Sequence, residues 1–253
     1  MSTLSQADIE SALRRLGVQS GMPLEVHSSM RCLGPVDGGA KTVIRALQAA
    51  VGPEGNLVMP AFRISLPCPL TAEDVALGLT FKARLLSGDE PVTGMGQIAD
   101  TFRAMPGVFL GEGLFRAAAW GKDAALHAAS GFGRLIEQDG RALMIGVDIY
   151  ALSAMHYVED ALPNAIQDRF APSAEARAAY PSDSWLIEAW TPPVKAWHTI
   201  QAMADEQGFI RHGRIGGCPC MLMEVKEVIK LYRMALETDP FGLYGIHQNG
   251  ENL

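Results

Sequence analysis

His156 and Glu159 stand three residues apart in Met155-His-Tyr-Val-Glu159. The stretch leading to them starts as an apolar run, Ala142-Leu-Met-Ile-Gly-Val147, and ends in a helical pattern. Residues at i and i+3 share a helix face. A carboxylate beside an imidazole orients it and stabilises its cation, which makes a general base that works near neutral pH. Proton transfer is therefore the chemistry to which this spacing points. Cys218-Pro-Cys220 is a second spacing with chemical content, but zinc ligands need two to four intervening residues and a second pair, and neither is present. No metal is expected, and the four cysteines read as free buried thiols.

The elements that must hold the pair follow from periodicity. Ser5 or Asp8 caps a first helix that runs to about Leu16, with Ile9, Leu13 and Leu16 at helical spacing. Leu24-Glu-Val-His-Ser28 is a short strand, a glycine loop follows over 34–39, and a helix runs from about Ala40 to Ala50. Asn56-Leu-Val-Met-Pro60 is a second buried strand. This β-loop-α-β unit predicts neighbouring parallel strands covered by helices. Residues 63–92 mix proline, glycine and charge, and read as a long excursion of the kind that is often functional. Met95 to Met105 is an amphipathic helix, and 108–110, 117–120 and 142–147 are further strands or buried segments. Ser153 to Ala161 is a helix that ends near Pro163. Trp185 to Trp190 alternates like a strand, and 196–207 and 225–236 are late helices. With no repeat or linker, residues 1–253 read as one α/β domain.

Composition narrows the function. Apolar residues make up 48% and charged residues 19%, which argues against disorder. A net charge of −7 argues against a nucleic-acid partner, because phosphate binding needs a basic surface. No apolar run reaches the roughly 18 residues of a membrane helix, and the N-terminus lacks the pattern of a signal peptide. The expectation is a cytoplasmic protein that does not engage a membrane.

Gly34-Pro-Val-Asp-Gly-Gly-Ala-Lys-Thr42 lies between a strand and a helix, where exposed amides attract phosphate. Its spacing fits neither the P-loop nor the dinucleotide fingerprint, so alone it reads as a tight loop more readily than as an anion site. Its neighbours add context. Val26-His-Ser-Ser-Met30, Gly38-Gly-Ala-Lys-Thr-Val-Ile44 and Val51-Gly-Pro-Glu-Gly-Asn-Leu-Val-Met-Pro-Ala-Phe62 occur in order. Met95-Gly-Gln-Ile-Ala-Asp-Thr-Phe-Arg103, Pro106-Gly-Val108 and Ala118-Ala-Trp-Gly-Lys-Asp-Ala124 follow. Asp139-Gly-Arg-Ala-Leu-Met-Ile-Gly-Val147 and His156-Tyr-Val-Glu159 complete the series. Each motif is modest, but eight in order are specific. Together they resemble the aminoglycoside 3-N-acetyltransferase family, strongly over roughly residues 10–165 and loosely beyond.

The resemblance implies a single α/β domain with a central, largely mixed sheet flanked by helices. It implies acetyl-CoA, or another acyl-CoA, as co-substrate and a small-molecule amine as acceptor, and it leaves a homodimer open. The pantetheine arm is expected along His27, Ser28, Ser29 and Met30 and along Pro60, Ala61 and Phe62, with the amides of Gly38, Gly39 and Thr42 facing phosphate. His156 carries over onto the family's general base and Glu159 onto its carboxylate partner. Strand-end amides are the expected donors to the tetrahedral oxyanion.

Three departures stand out. Relatives hold an aspartate six residues before the histidine; this chain has Tyr150, with Asp148 two residues earlier, so both are candidates for the third catalytic position. Relatives hold His-Pro-x-His-Ser where this chain has Glu112-Gly-Leu-Phe-Arg116. The segment between Lys122 and Asp139 is short and lacks a proline-rich loop. No dense acidic cluster suits a polycation, so a smaller acceptor than an aminoglycoside is expected. Trp185, Trp190 and Trp197 either line the acceptor pocket or pack, and Arg211-His-Gly-Arg214 is a small basic patch that either meets the CoA phosphates or, by slight preference, is a solvated turn. A hydrolase on the same scaffold, and a CoA-binding homologue that has lost catalysis, are the alternatives.

Overall fold

A reciprocal capping box opens the first helix. The Ser5 hydroxyl accepts from the Asp8 amide, and the Asp8 carboxylate accepts from the Ser5 amide. The computed structural model describes residues 3–189 and 194–246, so Trp190 lies outside the described residues. Helix α1 (Gln6–Leu16) leads to β1 (Pro23–Ser28), a short α2 (Met30–Leu33), α3 (Gly39–Val51) and β2 (Asn56–Pro60). Then come α4 (Ala72–Ala76), β3 (Phe81–Arg84), α5 (Gln97–Arg103), β4 (Phe109–Leu110) and β5 (Ala117–Gly121). Helices α6 (Ala124–Ser130) and α7 (Gly133–Glu137) precede β6 (Arg141–Ile145). A 3₁₀ turn (Ile149–Ala151) and a 3₁₀ helix (Ser153–Ala161) follow. The chain continues with α8 (Asn164–Phe170), α9 (Ala174–Ala179), β7 (Trp185–Glu188), α10 (Val194–Glu206), β8 (Ile210–Ile215), β9 (Cys218–Glu224) and α11 (Val225–Thr238).

The main sheet has the strand order β4-β5-β2-β1-β6-β9-β8. Its centre is parallel: β1 pairs with β2 on one side and β6 on the other. Antiparallel strands flank this trio, as the resemblance to a mixed-sheet family implies. The central strands are buried on both faces, which explains their near-continuous apolar runs. One face packs Leu24, Val26, Leu57 and Ile145 against α1 and α3. The other packs Val58, Ala142 and Met144 with Phe132, Met155, Val158 and Trp197.

Four readings of the sequence are corrected. The segment Ser153–Ala161 is a 3₁₀ helix rather than an α-helix. Its three-residue turn eclipses i and i+3, which brings His156 and Glu159 closer in line. The excursion over 63–92 is partly ordered: β3 pairs antiparallel with β7 in a separate two-stranded ribbon. A buried ion pair steadies it, with Lys82 Nζ 2.6 Å from Asp74 Oδ2. Residues 211–214 belong to strand β8, not to a turn. Finally, Cys32 and Cys218 form a disulfide with Cα atoms 5.3 Å apart, while Cys68 and Cys220 are free. The two bridged residues are 186 apart in sequence, and only the placement of α2 beside the start of β9 brings them together. Among the described residues no helix is long and apolar enough to cross a membrane.

Gly146 ends β6 with φ 66°, a left-handed conformation that favours glycine. A Cβ there would overlap both Cys32 and Cys218. Gly146→Ala is expected to destabilise the fold by at least about 2 kcal/mol through backbone strain and overpacking, as read by urea unfolding. Wild-type stability in that variant would remove this account of the strand end.

Candidate active site

The three parallel strands end at one edge of the sheet, where open α/β folds place ligands. At the end of β1, the Ser29 amide donates to the Ile145 carbonyl at 2.8 Å, and the Ser29 hydroxyl caps α2 by accepting from Cys32. This edge and the start of α5 enclose a cavity of about 560 Å³. His27, Ser28, Ser29, Met30, Pro60 and Phe62 line it, as the sequence predicts for the donor site. Three further expected residues are elsewhere: Gly38, Gly39 and Thr42 sit at the start of α3 and are absent from the lining. Their loop hands the chain to a helix packed on α1 and α5. Ala61 is also absent from the lining; it is 1% exposed, and its amide donates to the Arg116 carbonyl. Gly94, Met95, Gly96 and Gln97 do line the cavity; the sequence marks the last three only as a family motif at a helix start and does not single out Gly94.

A second cavity, of about 470 Å³, opens on the other side of His156. The β3–β7 ribbon supplies Phe81, Ile187 and Glu188, and Phe170, Trp197 and Glu159 complete the wall. His156 and Tyr150 line both cavities.

His156 Nδ1 lies 2.9 Å from Glu159 Oε2, and its ring meets Trp197 edge-on at 5.2 Å. Desolvation opposes the imidazolium, but the Glu159 hydrogen bond and the negative fields of Glu159 and Glu188 outweigh it. The result is a histidine that holds its proton to higher pH than usual. With Nδ1 engaged by a carboxylate, Nε2 remains for a reacting proton.

Of the two candidates for the third position, Asp148 does not reach the base. Its carboxylate accepts from the Tyr150 amide at 3.0 Å and pairs with His198 Nε2 at 2.9 Å, so it caps the 3₁₀ turn instead. Tyr150 is the residue beside His156, packed at 5.4 Å from Trp197. Burial, first, and then the fields of Glu188, Glu159 and Asp148 keep its phenol protonated.

Glu188 is a site residue that the sequence reading missed. It lies on β7, faces the second cavity, and burial pushes its carboxyl group upward. Among the tryptophans, Trp197 lines that cavity, whereas Trp185 packs against Tyr180 at 5.2 Å. The departure at 112–116 has structural consequences too. Phe115 meets Phe62 edge-on at 5.2 Å, and Arg116 donates to the carbonyls of Ala61 and Gly88.

The chain is similar to known proteins in sequence and in fold. It is 28% identical to an aminoglycoside N(3)-acetyltransferase III from Salmonella sp over 259 residues, covering 89% of this chain and 88% of the relative. The fold is similar to the crystal structure of the apoenzyme of aminoglycoside acetyltransferase AAC(3)-IVa, with a TM-score of 0.71, 22% identity, and coverage of 98% and 93% of the two chains. It is also similar to the binary structure of AAC-IIIb with CoASH, with a TM-score of 0.67, 18% identity, and coverage of 93% and 97%. The sequence pattern of one family, described as aminoglycoside 3-N-acetyltransferase, matches residues 26–237. That match, over well more than half of the chain, places it in the aminoglycoside 3-N-acetyltransferase family.

Proposed function

We propose that the chain transfers an acyl group, acetyl in the simplest case, from CoA to the amine of a small molecule, with His156 as general base. The observation that carries this reading is that His156 lines both cavities while Glu159 holds its Nδ1. A thioester in the strand-edge cavity and an amine in the ribbon-side cavity then meet at Nε2. Ser28 and Ser29 offer hydroxyls along the donor cavity, and a binary CoASH complex is known for a protein of similar fold.

The steps follow from the groups present. The acceptor first loses its ammonium proton to solvent, because a protonated amine is no nucleophile, and His156 then takes a proton from the neutral amine nitrogen as it attacks. The nitrogen attacks the thioester carbonyl carbon, the tetrahedral intermediate collapses, and the C–S bond breaks. The imidazolium returns the proton to the departing thiolate. Glu159 stabilises that imidazolium throughout. No acyl-enzyme is needed, since the thioester is already activated.

The acceptor cavity favours an amine with an apolar body. Its walls carry Phe81, Phe170, Trp197 and Tyr150, and its carboxylates are Glu159 and Glu188. Glu159 is engaged with the base, which leaves Glu188 to hold a cationic amine. This supports an acceptor smaller and less charged than an aminoglycoside.

His156→Ala should abolish turnover while CoA affinity, read by calorimetry, stays close to wild type. Hydrolysis to free acid and CoA with no acylated amine, seen by mass spectrometry, would favour the hydrolase alternative. The base acts when neutral, and its carboxylate neighbours raise its pKa above 6.5. The acidic limb of the kcat/KM profile should therefore lie above pH 6.5, and Glu159→Gln should move it downward. Glu188→Gln should raise KM for the amine by about 10- to 100-fold with little change in CoA binding, the loss expected for a hydrogen bond to a charged group.

A further inference from the structure

A second imidazole–carboxylate pair borders the donor cavity. Glu25 and His27 alternate with Leu24 and Val26 along β1, so they share the other face of the sheet. Their register neighbours are apolar, with Val58 and Ala142 beside Glu25 and Met144 beside His27. Glu25 is 0% exposed, and its Oε1 lies 2.7 Å from His27 Nε2. Its Oε2 is buried with no hydrogen-bond partner. The Ser153 amide approaches the same His27 Nε2 at 3.4 Å. The other ring nitrogen, Nδ1, has no hydrogen-bond partner among the described residues, and His27 lines the donor cavity with Ser153 and His156.

Charge decides what Nδ1 offers. A buried pair with a net negative charge is costly among apolar neighbours. The net-neutral pair has two forms: a carboxylate with an imidazolium, or a carboxylic acid donating into a neutral imidazole. Nδ1 carries a hydrogen in both. His27 is therefore a hydrogen-bond donor at the wall of the donor cavity, and the proton transfer through His156 makes no use of it.

We propose that His27, oriented by Glu25, is a further catalytic residue whose Nδ1–H stabilises the thioester oxyanion. This rests on the acyl-transfer reading. As the amine nitrogen bonds to the carbonyl carbon, the C=O π pair moves onto oxygen, and Nδ1–H donates to that oxygen. Collapse restores the C=O bond and expels the CoA thiolate, which takes its proton from His156. His27 gives up no proton in the cycle.

The test uses the full chain, acetyl-CoA, and a panel of arylalkylamines plus an aminoglycoside, with thiol release and acylated product both measured. Asparagine and leucine are similar in shape, but only asparagine donates. His27→Leu should lower kcat by about 100-fold or more, the usual loss for one oxyanion donor. His27→Asn should keep at least about ten times the kcat of His27→Leu. Glu25→Leu combined with His27→Leu leaves no orphaned buried charge and preserves the comparison if the single leucine variant does not fold. Equal kcat for the asparagine and leucine forms, in a wild type that acylates amines, overturns this inference alone. Absence of amine acylation by the wild type overturns the acyl-transfer reading and this inference with it.

Discussion

Three strands must finish at the same edge for this site to exist. Strands β2, β1 and β6 run parallel, so their C-terminal ends converge and leave backbone groups and loops facing one cavity. The helical crossover between β1 and β2 enforces that direction, since a parallel neighbour cannot be reached by a tight hairpin. Everything chemical hangs from those ends: the serines after β1, Pro60 at the end of β2, and the turn after β6 that leads to His156. The antiparallel strands outside the trio widen the sheet and seal its core but contribute little to the donor cavity.

The electrostatics of the base reflect a contest. Enclosure by protein drives an imidazole toward neutrality, whereas carboxylates drive it toward the cation. At His156 the carboxylates win, because one of them is in direct contact and another adds its field. Tyr150 beside His156 brings bulk and a protonated hydroxyl but no charge. Glu188 arrives from a different strand and supplies negative potential at the same imidazole.

Local pattern revealed what local pattern can encode. Strands β1, β2 and β6 showed as short apolar runs, and the spacing of His156 and Glu159 survived the change from α to 3₁₀ geometry because both bring i and i+3 to one side. Asp148 misled because proximity in sequence says nothing about whether a carboxylate caps a turn or turns inward. Glu188 was invisible for a related reason: its ladder partner, Phe81, is remote in the chain, and a glutamate ending an alternating strand resembles a solvated one. Glu25 did leave a signal, an acid two residues before a histidine within an apolar strand, and so on the same face. The Cys32–Cys218 bridge left none, since cysteine pairing depends on approach in space.

The β3–β7 ribbon shares no strand ladder with the main sheet, yet it forms part of the wall of the second cavity. The two cavities are thus built on different parts of one chain. Residues on the ribbon, such as Phe81, Ile187 and Glu188, can diverge without disturbing the register of the parallel strands. A chain built this way can reshape one cavity while leaving the other intact.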